Sequence, residues 1–187
     1  MYLDELLSYN EAFVKEEKYA PFETDKFPNK RIVILSCMDT RLIELLPNAL
    51  NIKNGDAKVV KNAGAIIDNP YGSIVRSLLV AVYELQADEI LIIGHHGCGM
   101  KGFHSKQMLE KAKQRGVTEA AIQSVEEQGV NVEQWLHGFE NVQDSVQSGV
   151  DILRNHPLLP ENTPVHGLVI DPSTGKLDLI DKGYEKV

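Results

Sequence analysis

Two short apolar runs constrain this chain more than anything else in it. Arg31-Ile-Val-Ile-Leu-Ser36 and Glu89-Ile-Leu-Ile-Ile93 are rich in β-branched residues and show no alternation of apolar with polar. An alternating strand has one wet face. A strand without alternation is covered on both faces, the usual state of strands in a parallel sheet. Ala57-Lys-Val-Val60 and Val165-His-Gly-Leu-Val-Ile170 are further candidates, and Pro172-Ser-Thr-Gly175 reads as a tight turn from the latter into Lys176–Asp181. That last pair is an antiparallel hairpin.

Helical signals fall between the strands. Ile74, Val75, Leu78, Leu79, Val82 and Leu85 recur near every 3.6 residues, which predicts a helix to about Gln86 with Ser73 as its N-cap. Leu3, Leu6, Leu7, Phe13 and Val14 predict an amphipathic helix at about 3–18, closed before Pro21. Gln107–Arg115, Glu119–Gln128 and Val142–Arg154 read as helices, with Gly116 and Gly129 as stops. Strands alternating with helices predict an α/β fold, a three-layer sandwich. The expected sheet has four parallel strands near 31–36, 57–60, 89–93 and 165–170, in order 2-1-3-4, plus an antiparallel edge strand near 177–181. The expected unit is a single domain over 1–187.

Charge and hydropathy narrow the partners. Basic minus acidic residues is 19 − 27 = −8. Such a balance does not favour contacts with nucleic-acid phosphates or an anionic membrane surface. Hydrophobic residues make up 43%, enough for a core, but no apolar run approaches the ~18 residues of a membrane span. The start, Met-Tyr-Leu-Asp-Glu, lacks a basic and apolar leader. A soluble, cytoplasmic protein is expected.

The chemistry lies just after the two best strands. Cys37-Met-Asp39-Thr-Arg41 follows the first, and Gly94-His95-His96-Gly97-Cys98-Gly99 follows the second. Open parallel sheets bind ligands beyond the carboxyl ends of their strands, at the point where strand order reverses. With order 2-1-3-4 that point lies between the first and third strands. Loop residues would then carry Cys37 and Cys98, the only two cysteines. His95-x-x-Cys98 can reach one ion from a single turn. With Cys37 it makes a soft set of two thiolates and one imidazole, which suits Zn²⁺. Three protein ligands leave one position open, as in catalytic zinc sites. There is no Gly-x-Gly-x-x-Gly after a strand and no Cys-x-x-Cys, so dinucleotide and dithiol redox readings fall away.

These motifs resemble the signatures of the β-class carbonic anhydrases. Cys37-Met-Asp39-Thr-Arg41 is similar to the first signature and Gly94–Met100 to the second. Gly55-Asp56-Ala57, Lys61-Asn62-Ala63-Gly64 and Arg76-Ser77 resemble further family segments. The resemblance runs from about residue 30 to about 180, and the chain's length looks most like the compact, archaeal-type branch.

What the resemblance implies is reversible hydration of carbon dioxide to bicarbonate and a proton by attack of zinc-bound hydroxide. One zinc per chain would be held by Cys37, His95 and Cys98. Asp39 and Arg41 would be the catalytic dyad. Asp39, once freed from Arg41, is also a candidate fourth metal ligand. Family members form homodimers or higher homo-oligomers. His96 is read as non-ligating, and His104, His137, His156 and His166 as surface or packing residues. Asn62-Ala63-Gly64 either lines the site or is simply a loop that needs a small residue. Thr40 and Ala65 stand where serine and a second glycine are frequent, and Trp135 does not match the family's allosteric bicarbonate site. Two other functions are compatible with the same motifs. One is a zinc hydrolase of CS₂ or COS, and the other is a zinc- or bicarbonate-binding module without turnover.

Overall fold

The computed structural model describes residues 1–184, so the last three residues of the expected domain lie outside it. Its five strands form one sheet: β1 (Ile32–Cys37), β2 (Ala57–Asn62), β3 (Glu89–His95), β4 (Val165–Ile170) and β5 (Leu177–Asp181). The order is β2-β1-β3-β4-β5. β1 pairs in parallel with β2 and β3, β3 in parallel with β4, and β5 lies antiparallel to β4. This is the expected arrangement. The helices are α1 (Tyr2–Lys15), α2 (Leu42–Ala49), α3 (Ser73–Tyr83), α4 (Ser105–Gln114), α5 (Glu119–Glu126), α6 (Val132–Trp135) and α7 (Val142–Arg154).

The absence of alternation in the two best runs has the expected cause. Val33 and Leu35 of β1 face a core shared with Val75 and Leu78 of α3 and Val146, Val150 and Leu153 of α7. Ile34, between them, faces the opposite layer with Leu42 and Leu46 of α2, Ile93 and Ile170. All three β1 residues are at most 2% exposed. Each fully buried aliphatic side chain of this kind contributes roughly 1.5–3 kcal/mol.

Glycines let α7 approach the sheet. A Cβ on Gly94 of β3 would lie 2.7 Å from Val142 Cγ2 and 2.8 Å from Val146 Cγ2. One on Gly167 of β4 would lie 2.9 Å from Val146 Cγ1. The two missing side chains form the seat of the helix.

Some sequence expectations shift. Ser73 is the first residue of α3, not its N-cap; Gly72 occupies that place, and the Ser73 carbonyl accepts a hydrogen bond from Ser77 Oγ at 2.8 Å. α2 and α6 went unpredicted, because eight residues interrupted by Pro47 and four residues are too short to show a period. Gly116 and Gly129 do stop their helices, with φ of +96° and +85°. α1 buries none of its residues, and Leu3, Leu6 and Leu7 are all at least half exposed. Among the described residues no helix is long and apolar enough to cross a membrane.

Candidate metal centre

Two of the three ligands predicted from sequence come from strands rather than from the loops after them. Cys37 is the last residue of β1 and pairs in register with Asn62, and His95 is the last of β3 and pairs with Ile170. Pairing continues one or two residues past the apolar runs, so the sheet itself sets their separation. Cys98 follows in a turn made possible by Gly97, whose φ is +62°. That turn is tied down on its far side: Phe139 N–H donates to the Met100 carbonyl at 3.0 Å and Gly102 N–H to the Phe139 carbonyl at 2.8 Å.

The donor atoms of Cys37, His95 and Cys98 all lie within 4.8 Å of one another, and all three residues are buried. The two sulfurs are 3.9 Å apart. Two sulfurs bound tetrahedrally to zinc at about 2.3 Å would be about 3.8 Å apart. His95 is poised by its neighbour: its Nδ1 lies 2.9 Å from the His96 carbonyl. A carbonyl can only accept, so Nδ1 carries the proton and Nε2 is left with its lone pair. His95 Nε2 is buried and has no hydrogen-bond partner. A buried, unpartnered imidazole nitrogen facing two thiols is costly in a fold unless something binds it. The set therefore fits zinc.

Electrostatics within the cluster are asymmetric. The Cys37 thiol is held down at about 4, chiefly by the contact with the Cys98 thiol and further by the neighbouring His95 imidazole and by Gly64 N–H (3.3 Å), against the opposing effect of burial. The Cys98 thiol is pushed up, because it shares a proton with Cys37 and is itself buried. Gly64 serves both roles considered for it. Its φ is +81°, a Cβ would lie 3.0 Å from Ile66 and 3.1 Å from Met100, and its N–H reaches the ligand sulfur. Ala65 takes a φ of +56° with its methyl buried.

Asp39 and Arg41 form a tight fork. The Arg41 backbone N–H and Nε both donate to Asp39 Oδ1 at 2.9 Å, and Nη2 donates to Oδ2 at 2.8 Å. Nη2 also donates to the Gly97 carbonyl at 3.1 Å, which ties the dyad to the Cys98 turn. The Arg41 guanidinium holds the Asp39 carboxyl well below the usual carboxylate range. Asp39 Oδ2 lies 3.7 Å from His95 Nε2. In this arrangement Asp39 is paired with Arg41, the state expected of the dyad member, while the clustered donor set consists of Cys37, His95 and Cys98.

The other histidines lie apart from this cluster. His96, 41% exposed, turns its Nε2 toward Asp178 at 3.4 Å. His166 is buried against Glu89, and His156 accepts a hydrogen bond from Leu158 N–H. His104 and His137 are exposed and stack obliquely on each other. Three features escaped sequence reasoning: the His96 carbonyl that fixes the tautomer, the Gly64 N–H on sulfur, and the Arg41–Gly97 link. All are backbone contacts, to which side-chain patterns are blind.

Comparison with known proteins agrees with this geometry. A family model described as Carbonic anhydrase matches residues 32–177. The Bacillus subtilis (strain 168) protein named "Putative carbonic anhydrase YtiB" is 56% identical over 182 residues, 97% of each chain. The crystal structure of beta-carbonic anhydrase isoform I from Trichomonas vaginalis is similar with a TM-score of 0.88 at 35% identity, covering 98% of this chain and 100% of that one. The carbon disulfide hydrolase of Acidithiobacillus thiooxidans is 28% identical over 157 residues, 80% of this chain and 76% of its own.

Proposed function

The chain belongs to the β-class carbonic anhydrase family, and from that premise we propose that it hydrates carbon dioxide reversibly at a single zinc held by Cys37, His95 and Cys98. The observation that carries this reading is the unpartnered His95 Nε2 facing two thiols 3.9 Å apart, with an ionised carboxylate alongside. Zinc supplies the Lewis acidity that makes water a nucleophile near neutral pH.

The chain's own residues do the rest. Asp39 is held too acidic by Arg41 to keep a proton at neutral pH. It therefore acts as a hydrogen-bond acceptor that orients the attacking water toward the carbon of CO₂, and not as the base that stores its proton. Arg41 fixes the direction of that acceptor through its bidentate grip. Gly64 N–H stabilises the Cys37 thiolate. The proton released leaves to buffer, and bicarbonate leaves the open side of the centre.

The broader setting follows the same family. The uncovered apolar stripe of α1 supports a homodimer or larger homo-oligomer in which a second copy buries it. A cytoplasmic location and the compact, archaeal-type branch of the family are part of this reading. The intact Asp39–Arg41 fork speaks against a binding module without turnover. Hydrolysis of CS₂ or COS would use the same metal set. The lower identity to the carbon disulfide hydrolase, 28% against 56%, favours CO₂.

Stopped-flow CO₂ hydration on protein of known zinc content tests the proposal. The expected result is turnover that scales with zinc, at one ion per chain, and disappears with a chelator. Turnover of CS₂ without CO₂ would move the assignment to the hydrolase. One zinc with neither activity would leave only a binding module.

A further inference from the structure

The loop that leaves β2 beside the metal centre is held in a costly shape. Gly64 takes a φ of +81° and Ala65, next to it, one of +56°. Glycine adopts this left-handed backbone freely, whereas an alanine there costs about 1–2 kcal/mol. In this shape Gly64 N–H points at the Cys37 sulfur, 3.3 Å away.

The Asn62 side chain closes the loop. Asn62 is the last residue of β2, pairs in register with Cys37, and accepts a hydrogen bond on its carbonyl from Met38 N–H at 2.8 Å. Its Nδ2 reaches forward and donates to the Ile66 carbonyl at 2.7 Å, a bond that spans the loop with Gly64 at its middle. Turned the other way, the amide would set its own oxygen against that carbonyl, so its orientation is fixed. The other end of the amide gains nothing: Oδ1 is buried and has no hydrogen-bond partner among the described residues. A hydrogen bond is worth about 0.5–1.5 kcal/mol net, and a bare buried acceptor costs about 1–3 kcal/mol. Asn62 therefore adds little to stability, and what it does achieve is to fix the path of the loop against the ligand.

We propose that Asn62 is a positioning residue of the metal centre: its amide clasps the Ile66 carbonyl, and the closed loop keeps Gly64 N–H on the Cys37 sulfur. There the N–H draws electron density from a thiolate that faces the metal. Partners of this kind orient a ligand and tune the metal it holds. The inference rests on the reading of Cys37, His95 and Cys98 as a metal site, and catalysis is not needed for it to be true. The bland alternative is that Ala65 and Ile67, both buried in the core, hold the loop alone and Asn62 fills space.

Cobalt(II) loaded into the full chain in place of zinc separates the two, because the thiolate-to-cobalt charge-transfer band reports electron density at sulfur. Asn62→Leu keeps the bulk and Asn62→Ala does not; both remove the donor. Both should move the band to longer wavelength, since a thiolate without its N–H partner gives up an electron more easily. Hydrogen exchange at Gly64 N–H of the loaded protein should quicken at least about fivefold, the loss of about one hydrogen bond. Exchange at Ile34 of β1 and Ile92 of β3 should not change. A band unmoved in both variants would overturn the inference, whatever their stability. So would equal quickening at Gly64, Ile34 and Ile92, which is general loosening and not the loss of a clasp. A wild type that takes up cobalt without a sulfur band defeats the metal-site reading and the inference together. A wild type with the band whose zinc form hydrates no CO₂ defeats only the proposed activity, and the band shift still decides the role of Asn62.

Discussion

Gly94→Ala tests how tightly the sheet behind the site is packed. The added Cβ would meet Val142 Cγ2 at 2.7 Å and Val146 Cγ2 at 2.8 Å. Carbon atoms settle at about 3.5–4.0 Å, so both valines must retreat by about 1 Å. Both sit on α7, Val142 7% and Val146 1% exposed. Valine in a helix has one strongly preferred rotamer, so the side chains cannot simply turn away. Overpacking of this kind costs about 1–3 kcal/mol. Against it stands a gain of about 0.5–1 kcal/mol from replacing a strand glycine. The net expectation is a loss of about 1–2 kcal/mol. For a chain of this length that lowers the melting temperature by about 2–8 °C. Urea unfolding of metal-free protein, at one fixed chain concentration, reads the free energy directly. Combining Gly94→Ala with Val146→Ala relieves one clash, so the double variant should be more stable than the sum of the singles by at least about 0.5 kcal/mol. A Gly94→Ala protein as stable as wild type would refute the packing argument, because then the glycine is not holding space for α7.

Other outcomes follow from single contacts. Arg41→Lys should keep its zinc and lose at least about tenfold in CO₂ hydration, since a lysine point charge cannot reproduce the two parallel bonds to Asp39; zinc content and stopped-flow rates on one preparation check it. Two thiolates cancel the charge of the ion, so the hydration rate should keep rising with pH above about 7, and a flat profile there would contradict this. Arg154, through its ion pair, holds the half-buried Asp181 carboxyl below its ordinary range. The stability from that depressed pKa is therefore present above pH ~3.9 and lost as pH falls through the lower folded value. Arg154→Met should remove that acid limb and cost about 1–3 kcal/mol at neutral pH, as read by urea unfolding across the pH range. Deleting residues 1–15 should reduce the oligomer in sedimentation velocity, because α1 buries none of its residues and leaves Leu3, Leu6 and Leu7 at least half exposed.

Most of the fold was legible because the informative residues are paired by period. The unbroken apolar runs of β1 and β3 told of two covered faces, and the period of Ile74, Val75, Leu78, Leu79 and Val82 told of the α3 helix between them. The ligand set was legible too, because cysteine and histidine at those spacings have few other uses. Backbone detail was not legible. Nothing in His95-His96 says that the second residue's carbonyl fixes the first one's tautomer. Nothing in Asn62-Ala63-Gly64 says that the glycine N–H finds a sulfur 27 positions earlier. Asp39 was readable as a dyad member, but the three Arg41 donors that hold its carboxylate come from a geometry only the fold supplies.

Placing Cys37 and His95 at the last paired positions of neighbouring strands ties the site to the register of the sheet. β1 and β3 pair in register from Ile32↔Glu89 to Ser36↔Ile93. A slip of one residue would turn the Cys37 side chain to the other face. It would also expose Ile34 and Val33 to the wrong layers, so the core that stabilises the protein and the spacing that holds the metal fail together. Cys98 is different: its turn is held by a few backbone bonds to residues 138–139 and by Arg41. Local opening draws on segments with few buried contacts, so this turn is where the site should open first. Hydrogen exchange at Gly97–Gly102 should therefore be faster than at β1 or β3 in metal-free protein. Adding zinc should slow exchange there more than anywhere in the sheet, because Cys98 is the ligand that metal, and not register, holds in place. Equal slowing across β1, β3 and the turn would mean that all three ligands are held alike.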